Sequence, residues 1–407
     1  MSPRVISPQQ AAAFRLAVQH LADRLPKGAL MDALTSSAYQ NTPPGAAEIS
    51  LYARVAQFAP EALNDALVTS KTLLQTWSLR GAPHIYRVSQ APYYSQGLLP
   101  KTEQELVGFI QGIQPALEIS GMKAGQVVDL TIEAIQHVLD GRIIEGKKDL
   151  DRALSTWITA QLTEAQRSAW QQPSLYAKDQ SLGEAMVSFA LRIAALRGLI
   201  CFAERQGQKP AFVRTDQWLG KPFSDTSDAA KNNAASAGLL RRYLSGCGPS
   251  NSQDFSAWAG IKLDQAKRIW ELLAGDIIEV QLNGKTVWLL EQDLPRLEQP
   301  PQAAGARLLP AHDPYLQLRD HAVLIANPKI QRQLWRTAGS PGLILMDGQP
   351  AALWRMRKQG TAPSCRLIIS VTLFAAVTAS ARGLIQEEAL GIAAVRNCAD
   401  AVVEYNT

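Results

Sequence analysis

Three times in 407 residues this chain repeats one run: an apolar helix end, a short strand, a tight basic or glycine-containing turn, and a returning strand. The copies are 67–88 (LVTSKTLLQTWSLRGAPHIYRV), 195–215 (ALRGLICFAERQGQKPAFVRT) and 272–291 (LLAGDIIEVQLNGKTVWLLE). Helical spacing that gives way to alternating strands, three times over, restricts the fold to an α+β class, mainly α, built from several small units. A helix that ends in a two-stranded wing is how winged-helix modules close, and such modules usually touch nucleic acid.

The rest of the chain fits that scheme. Ala12, Leu16, Ala17, Leu21 and Leu25 recur at helical spacing over 8–25, and Pro26 and Gly28 close that segment. Thr42-Pro43-Pro44 reads as a helix start, with Thr42 as N-cap and proline in the first turn, opening a helix over 46–57 and then another over 60–68. In the third copy, helices over 255–259 and 263–273 flank Gly260 as in helix-turn-helix, and Asn283-Gly284 is a type I′ hairpin signal between IIEVQL and KTVWLL. After Pro300 the chain turns to strands over 306–309, 342–346, 351–356 and 366–373, with a turn at Asp347-Gly348 and a closing helix over 384–395. The expected organisation is therefore three tandem winged-helix domains followed by a C-terminal mixed α/β domain. Winged helix 1 spans 1–98 and holds the candidate active-site loop, and winged helix 2 spans 99–220. A small, polar linker at 221–236 leads to winged helix 3 at 237–299, and a strand-rich domain occupies 300–407.

Charge alone decides little. Forty-one basic and 36 acidic residues leave a net charge of +5, which permits polyanion binding without requiring it. Cys201, Cys247, Cys365 and Cys398 stand apart, with no CxxC pair and no histidine nearby, and are read as reduced, packed thiols. The N-terminal residues have no apolar core followed by a cleavage-like site, and no apolar run approaches the roughly 20 residues that cross a bilayer. A cytoplasmic protein with no membrane partner, expected as a monomer, follows.

No phosphate-binding glycine loop, zinc-protease motif or nucleophile elbow is present, and His20, His84, His137, His312 and His321 are scattered and read as structural. Neither a metal nor a cofactor is expected. Two segments stand out instead. One runs from Ala38-Tyr39-Gln40-Asn41-Thr42-Pro43-Pro44 to Leu51-Tyr52-Ala53-Arg54, and the other is Trp77-Ser78-Leu79-Arg80-Gly81-Ala82-Pro83-His84. With Leu308-Leu309-Pro310-Ala311-His312-Asp313-Pro314-Tyr315, Asp347-Gly348 and Trp354 further on, they make the chain resemble the bacterial winged-helix DNA glycosylases of the AlkZ and YcaQ type, over nearly its whole length. Those proteins carry Gln-x-Gln or Gln-x-Asp, a proline, Leu-aromatic-x-Arg, and then Arg-Gly-x-x-His in the first wing. Here the second catalytic position falls on Thr42, and the usually apolar middle residue is Asn41.

The resemblance implies hydrolysis of the N-glycosidic bond of N7- or N3-alkylated purines in double-stranded DNA, including bulky adducts and crosslinks, in DNA repair or genotoxin defence. Gln40 and Thr42 become the candidate catalytic residues; an amide can hold water, while a threonine hydroxyl can orient it but is no base at neutral pH. Asn41, Arg54, Arg80 and His84 become candidate DNA contacts. So do Lys267 and Arg268, on the outer face that they share with Asp264 and Glu271. Other readings stand beside these: Thr42 as a cap only, Gln40 as a buried amide serving the loop backbone, Arg54 paired with Glu48 or Glu61, and the 264–271 face simply solvated. Trp77 and Tyr86 are read as hairpin core. Two further functional classes stay open, a non-catalytic winged-helix DNA binder and a scaffold repurposed for a small molecule.

Overall fold

A computed structural model describes residues 4–207, 209–223, 228–361 and 364–406. The chain divides into two units, one of Met1–Asn64, Arg241–Trp258 and Leu273–Thr407, the other of Asp65–Leu240 and Ala259–Leu272. Both mix helices with small sheets, as expected of an α+β chain. Among the described residues, no helix is long and apolar enough to cross a membrane.

In the first unit the helix Pro8–Val18 begins with a capping box in which Ser7 and Gln10 bond each other's backbone N–H groups, and Pro8 sits in the first turn. It ends at Val18, earlier than the apolar spacing suggests. His20 takes a left-handed φ of 57°, and Leu21 N–H and His20 N–H donate to Leu16 O and Ala17 O, the bonding of a Schellman end. Leu21 is buried beyond that turn, so helical spacing persists in the sequence after the helix has stopped. The third hairpin forms as its turn chemistry requires, with Ile277–Leu282 paired to Lys285–Leu290 and φ of 53° and 71° at Asn283 and Gly284. Val5–Ile6 adds to it as a parallel edge strand, and Phe14, Val280, Leu289 and Leu297 fill the core beneath.

The C-terminal sheet has five strands in sequence order: Ala306–Leu309, Gly342–Met346, Gln349–Gln359, Arg366–Leu373 and Asp400–Asn406. The first four are antiparallel; the fifth returns through the helix Ala379–Val395 and pairs parallel to Arg366–Leu373. That fifth strand was not expected from the sequence, because its partner is reached only through a crossover helix. Ile344, Trp354, Leu367 and Ile369 of the sheet pack on Ile385, Ala389 and Ile392 of the helix, and Ile49 of the helix Ala46–Tyr52 enters the same core.

In the second unit the hairpin Leu73–Trp77/Pro83–Arg87 meets the hairpin Ile200–Gln206/Lys209–Arg214, which carries Ile144–Glu145 as a third strand. Thr76 Oγ1 donates to Ile200 O at 3.0 Å, and the Trp77 ring stacks on Phe212 with centroids 5.4 Å apart. Trp77 and Tyr86 are buried, the hairpin-core role expected of them. Residues 224–227 of the 221–236 linker segment lie outside the described residues, and from Ala229 the chain is helical, Ala229–Cys247.

One expectation is overturned. Cys365 and Cys398 form a disulfide, with Cα atoms 4.8 Å apart, while Cys201 and Cys247 are buried thiols outside any disulfide. The pair is invisible as a motif because 33 residues separate its members. The end of the helix Ala379–Val395 brings them together: Asn397 takes φ 53°, Cys398 N–H donates to Ala393 O, and the turn delivers Cys398 to the start of the strand Arg366–Leu373. Under denaturing, non-reducing conditions a thiol alkylation count should therefore give Cys201 and Cys247 alone, rising to all four cysteines after reduction. Reduction should also lower stability by about 2–4 kcal/mol in chemical unfolding.

Candidate active site

The candidate loop leaves a two-residue strand, Tyr39–Gln40. Tyr39 is buried, and its hydroxyl donates to Ala33 O at 2.9 Å. Burial, opposed by the Arg54 charge and reinforced by Asp313, pushes that hydroxyl up to about 12, so it stays a donor. Side chains alternate along a strand, so Gln40 projects from the opposite side; it is half-buried.

The start of the next helix departs from expectation. The cap position of Ala46–Tyr52 is Gly45, with φ 90°, and the side chain that satisfies the helix N-terminus is Asn41. Asn41 Oδ1 accepts from Gly45 N–H at 2.8 Å and from Ala47 N–H at 3.5 Å. Thr42 is not the cap; it stands exposed with Pro43 and Pro44 on the arc that Asn41 closes. Asparagine and threonine are both cap formers, and the longer amide reaches back across the two prolines. Asn41, expected to meet DNA, thus spends its carbonyl oxygen inside the protein, and Thr42 is the more exposed of the two.

Arg54 also departs from expectation. It pairs with neither Glu48 nor Glu61 but with Asp313, Nη1 to Oδ2 and Nη2 to Oδ1, both at 2.8 Å, with the two side chains 1% and 0% exposed. Its remaining bonds go to Ser50 O at 2.8 Å and Gln19 Oε1 at 3.2 Å. Burial pulls the guanidinium's pKa down, but Asp313, then Tyr39, outweigh that and leave it raised. So committed, Arg54 presents nothing to a phosphate. Gln19 passes the network on to Gly246 O at 2.8 Å, and Arg15 makes a parallel pair with Asp320 at 2.7 Å while donating to Gly248 O and Pro249 O.

A second brace comes from the turn after the helix Ala379–Val395. Arg396 Nη1 donates to Glu48 Oε2 at 2.8 Å and Nη2 to Pro44 O at 3.3 Å. Its guanidinium covers Gly45 so closely that a Cβ there would fall 1.4 Å from Nη1. Nearby, Tyr52 lies over Gly391, and Arg24 makes a bidentate pair with Glu388 at 2.7 and 2.8 Å. Nothing in the sequence pattern points to Arg396, which lies 348 residues from Glu48.

The remaining candidates belong to the second unit. Arg80 occupies a left-handed turn (φ 56°) and is half-buried, and the following Gly81 is covered by Arg192, whose Nε donates to Gly81 O at 3.3 Å. His84 is only 2% exposed, and Nδ1 bonds Ala82 O at 2.9 Å, so it shapes the turn and does not face solvent. Gly260 abuts this turn: a Cβ there would lie 2.7 Å from Arg80 Cα. The Arg80 turn and the helix Leu263–Glu271, with exposed Lys267 and Arg268, are thereby brought together. Arg268 is partly neutralised by Glu105. The first unit has a basic element of its own: Arg355, Arg357 and Lys358, legible in the sequence as basic residues leaving the C-terminal hairpin, are exposed together with Arg366 on the long hairpin formed by Gln349–Gln359 and Arg366–Leu373.

Comparison with known proteins bears on this geometry. The model of the family described as "DNA glycosylase AlkZ-like" matches residues 35–395, which include the Gln40 loop, Arg54 and Asp313. The chain belongs to the AlkZ-like DNA glycosylase family. An interstrand DNA cross-link repair glycosylase of Streptomyces sahachiroi is 26% identical over 323 residues, 77% of this chain and 78% of that relative. The solved structure of the Streptomyces sahachiroi DNA glycosylase AlkZ superposes with a TM-score of 0.74 at 21% identity, covering 99% of this chain and all of that one, so the fold is shared from end to end.

For this family member two outcomes follow from the buried network. Asp313→Ala strands the Arg54 charge and should cost about 3–5 kcal/mol, whereas the double variant Arg54→Met/Asp313→Leu should recover much of that loss in urea unfolding. His20 should give the fold a pH dependence. Burial, then the Arg54 and Arg296 charges, hold its imidazole below the ordinary 6.5, with Asp32 opposing. The unfolded chain binds this proton first, so His20 contributes a loss of stability as pH falls below 6.5 toward the lower folded value. His20→Asn, which suits the left-handed turn, should flatten that part of the urea midpoint profile.

Proposed function

We propose that the protein hydrolyses the N-glycosidic bond of N7- or N3-alkylated purines in double-stranded DNA, crosslinked or bulky adducts among them, with Gln40 positioning the attacking water. The carrying observation is the make-up of the Gln40 loop: a half-buried amide and an exposed threonine on a segment tied down at both ends, with no acidic residue from 39 to 47. A loop without a base suits this reaction. Alkylation at N7 or N3 makes the purine a cationic leaving group, so the C1′–N bond breaks ahead of strong nucleophilic assistance. Water then adds to C1′, its proton goes to solvent, and the base departs neutral. What the protein must supply is position and a polar environment for the oxocarbenium-like state. Gln40 Oε1 can accept from that water, and the Thr42 hydroxyl can orient it without deprotonating it.

In this reading each of the three hairpins is the wing of a winged-helix unit, and duplex DNA is contacted by Arg80, Lys267 and Arg268 of the second unit and, separately, by the basic Arg355–Arg366 hairpin of the first. Arg54, Asn41 and His84 hold the scaffold. A monomer needing no metal or cofactor completes the proposal. The exposed Thr42 favours one alternative, a lesion binder without turnover.

The test is release of free 7-methylguanine from a duplex. Gln40→Ala should lower the single-turnover rate by about 10²-fold, as loss of one preorganised polar group does elsewhere. Thr42→Ala should cost less than about tenfold, or 1.4 kcal/mol. Lys267→Ala and Arg355→Ala should each weaken DNA binding and flatten its salt dependence by about one unit of slope. Tight, salt-dependent binding with no base release from any alkylated duplex would replace the enzyme with the binder.

A further inference from the structure

Pro43 and Ala46, which flank the loop's far end, also form one wall of a pocket of about 200 Å³ in the first unit. Its other walls are Pro310 and Ala311, the segment 340–342, and Trp354 with Met356. We propose that this pocket is a specificity subsite for the substituent on the damaged base, and that it takes a single aryl ring or a short branched alkyl arm. The inference rests on the base-excision reading and deepens it.

Size sets the class of occupant. A cavity of about 150 Å³ accommodates benzene, whereas sites for drug-sized ligands begin near about 300 Å³. At about 200 Å³ the pocket is too small for a nucleoside and fits one ring or its aliphatic equivalent. Polarity points the same way. Three polar side chains of the lining have partners within the protein: Trp354 Nε1 donates to Leu309 O at 2.8 Å, Ser340 Oγ to Arg336 O at 2.9 Å and Arg355 Nη2 to Gly339 O at 2.6 Å. Proline, alanine, isoleucine, tryptophan and methionine make up most of the rest, so an occupant offers chiefly shape and apolar surface.

The walls are also preformed. Pro43, Pro310 and Pro341 contribute three restricted backbones. The buried Trp354 indole is pinned by its bond to Leu309 O and by Gly342, where a Cβ would fall 2.3 Å from Nε1. Binding then requires little ordering, which favours affinity for a small group. Location supplies the last element. Pro43 lies three residues after Gln40, so an arm seated against Pro43 and Ala46 leaves its parent purine beside the loop that carries the amide.

The experiment fills the pocket from two segments, with Ala311→Phe and Ser340→Phe in the full chain, and compares duplexes bearing one 7-benzylguanine or one 7-methylguanine. In each filled variant the ratio of kcat/KM for 7-benzylguanine over 7-methylguanine should fall about tenfold or more, a 1.4 kcal/mol loss of discrimination. An unchanged ratio in both folded variants overturns the subsite. A binding arm separates this from the excision reading: calorimetry with free 7-benzylguanine should show binding to wild type and to Gln40→Ala alike, weakened about tenfold or more in the filled variants. Filling-sensitive binding with no base released from either duplex sinks the enzyme and keeps the pocket. Binding indifferent to filling sinks the pocket whatever the duplexes show.

Discussion

The Arg54–Asp313 pair ties together two segments 259 residues apart, and both partners are removed from water. A buried ion pair gains little over an apolar contact, but losing one partner leaves an uncompensated charge, so the pair acts as a register pin. Here it fixes the end of the Ala46–Tyr52 helix against the segment that follows Pro310. Tyr39 sits on the same guanidinium, with Arg54 Cζ 5.3 Å from its ring centroid, so the strand that carries Gln40 is pinned from below. Arg396 does the same from the helix start, over Gly45. The loop between these two points therefore borrows its rigidity from the C-terminal sheet and helix.

That arrangement suits the chemistry proposed for it. A reaction with a good leaving group and a loose transition state depends on where the water is held, and a mobile amide would hold it nowhere in particular. Asn41 contributes by closing the loop onto the helix N-terminus, which gives a polar residue at this position a structural role. It leaves Thr42 exposed.

What could be read from the chain was what local chemistry dictates. Asn283-Gly284 set the third hairpin to the residue, because a type I′ turn needs two left-handed positions and fixes the register of its strands. Gln40, Arg54 and Asp313 were all visible as members of motifs. Their relations were not. Glu48 and Glu61 are closer to Arg54 in sequence than Asp313, and only the packed fold selects the distant partner. The Cys365–Cys398 bridge, the parallel strand Asp400–Asn406 and the Arg396 brace were missed for the same reason, since each joins segments through a crossover or across most of the chain. Thr42 was misread as a cap because two cap formers stood side by side, and the one that reaches the helix is set by the path through Pro43 and Pro44.

The central claim is that the Gln40 loop is held in place from the C-terminal part of its own unit. Amide hydrogen exchange in the Arg396→Ala variant reads this directly. The amides of Gly45 and Ala47, bonded to Asn41 in the intact loop, should exchange about tenfold faster or more than in wild type, while those of the Ile277–Leu290 hairpin keep their rates. Unchanged exchange at Gly45 and Ala47 would mean that the loop holds itself, and the account would fail.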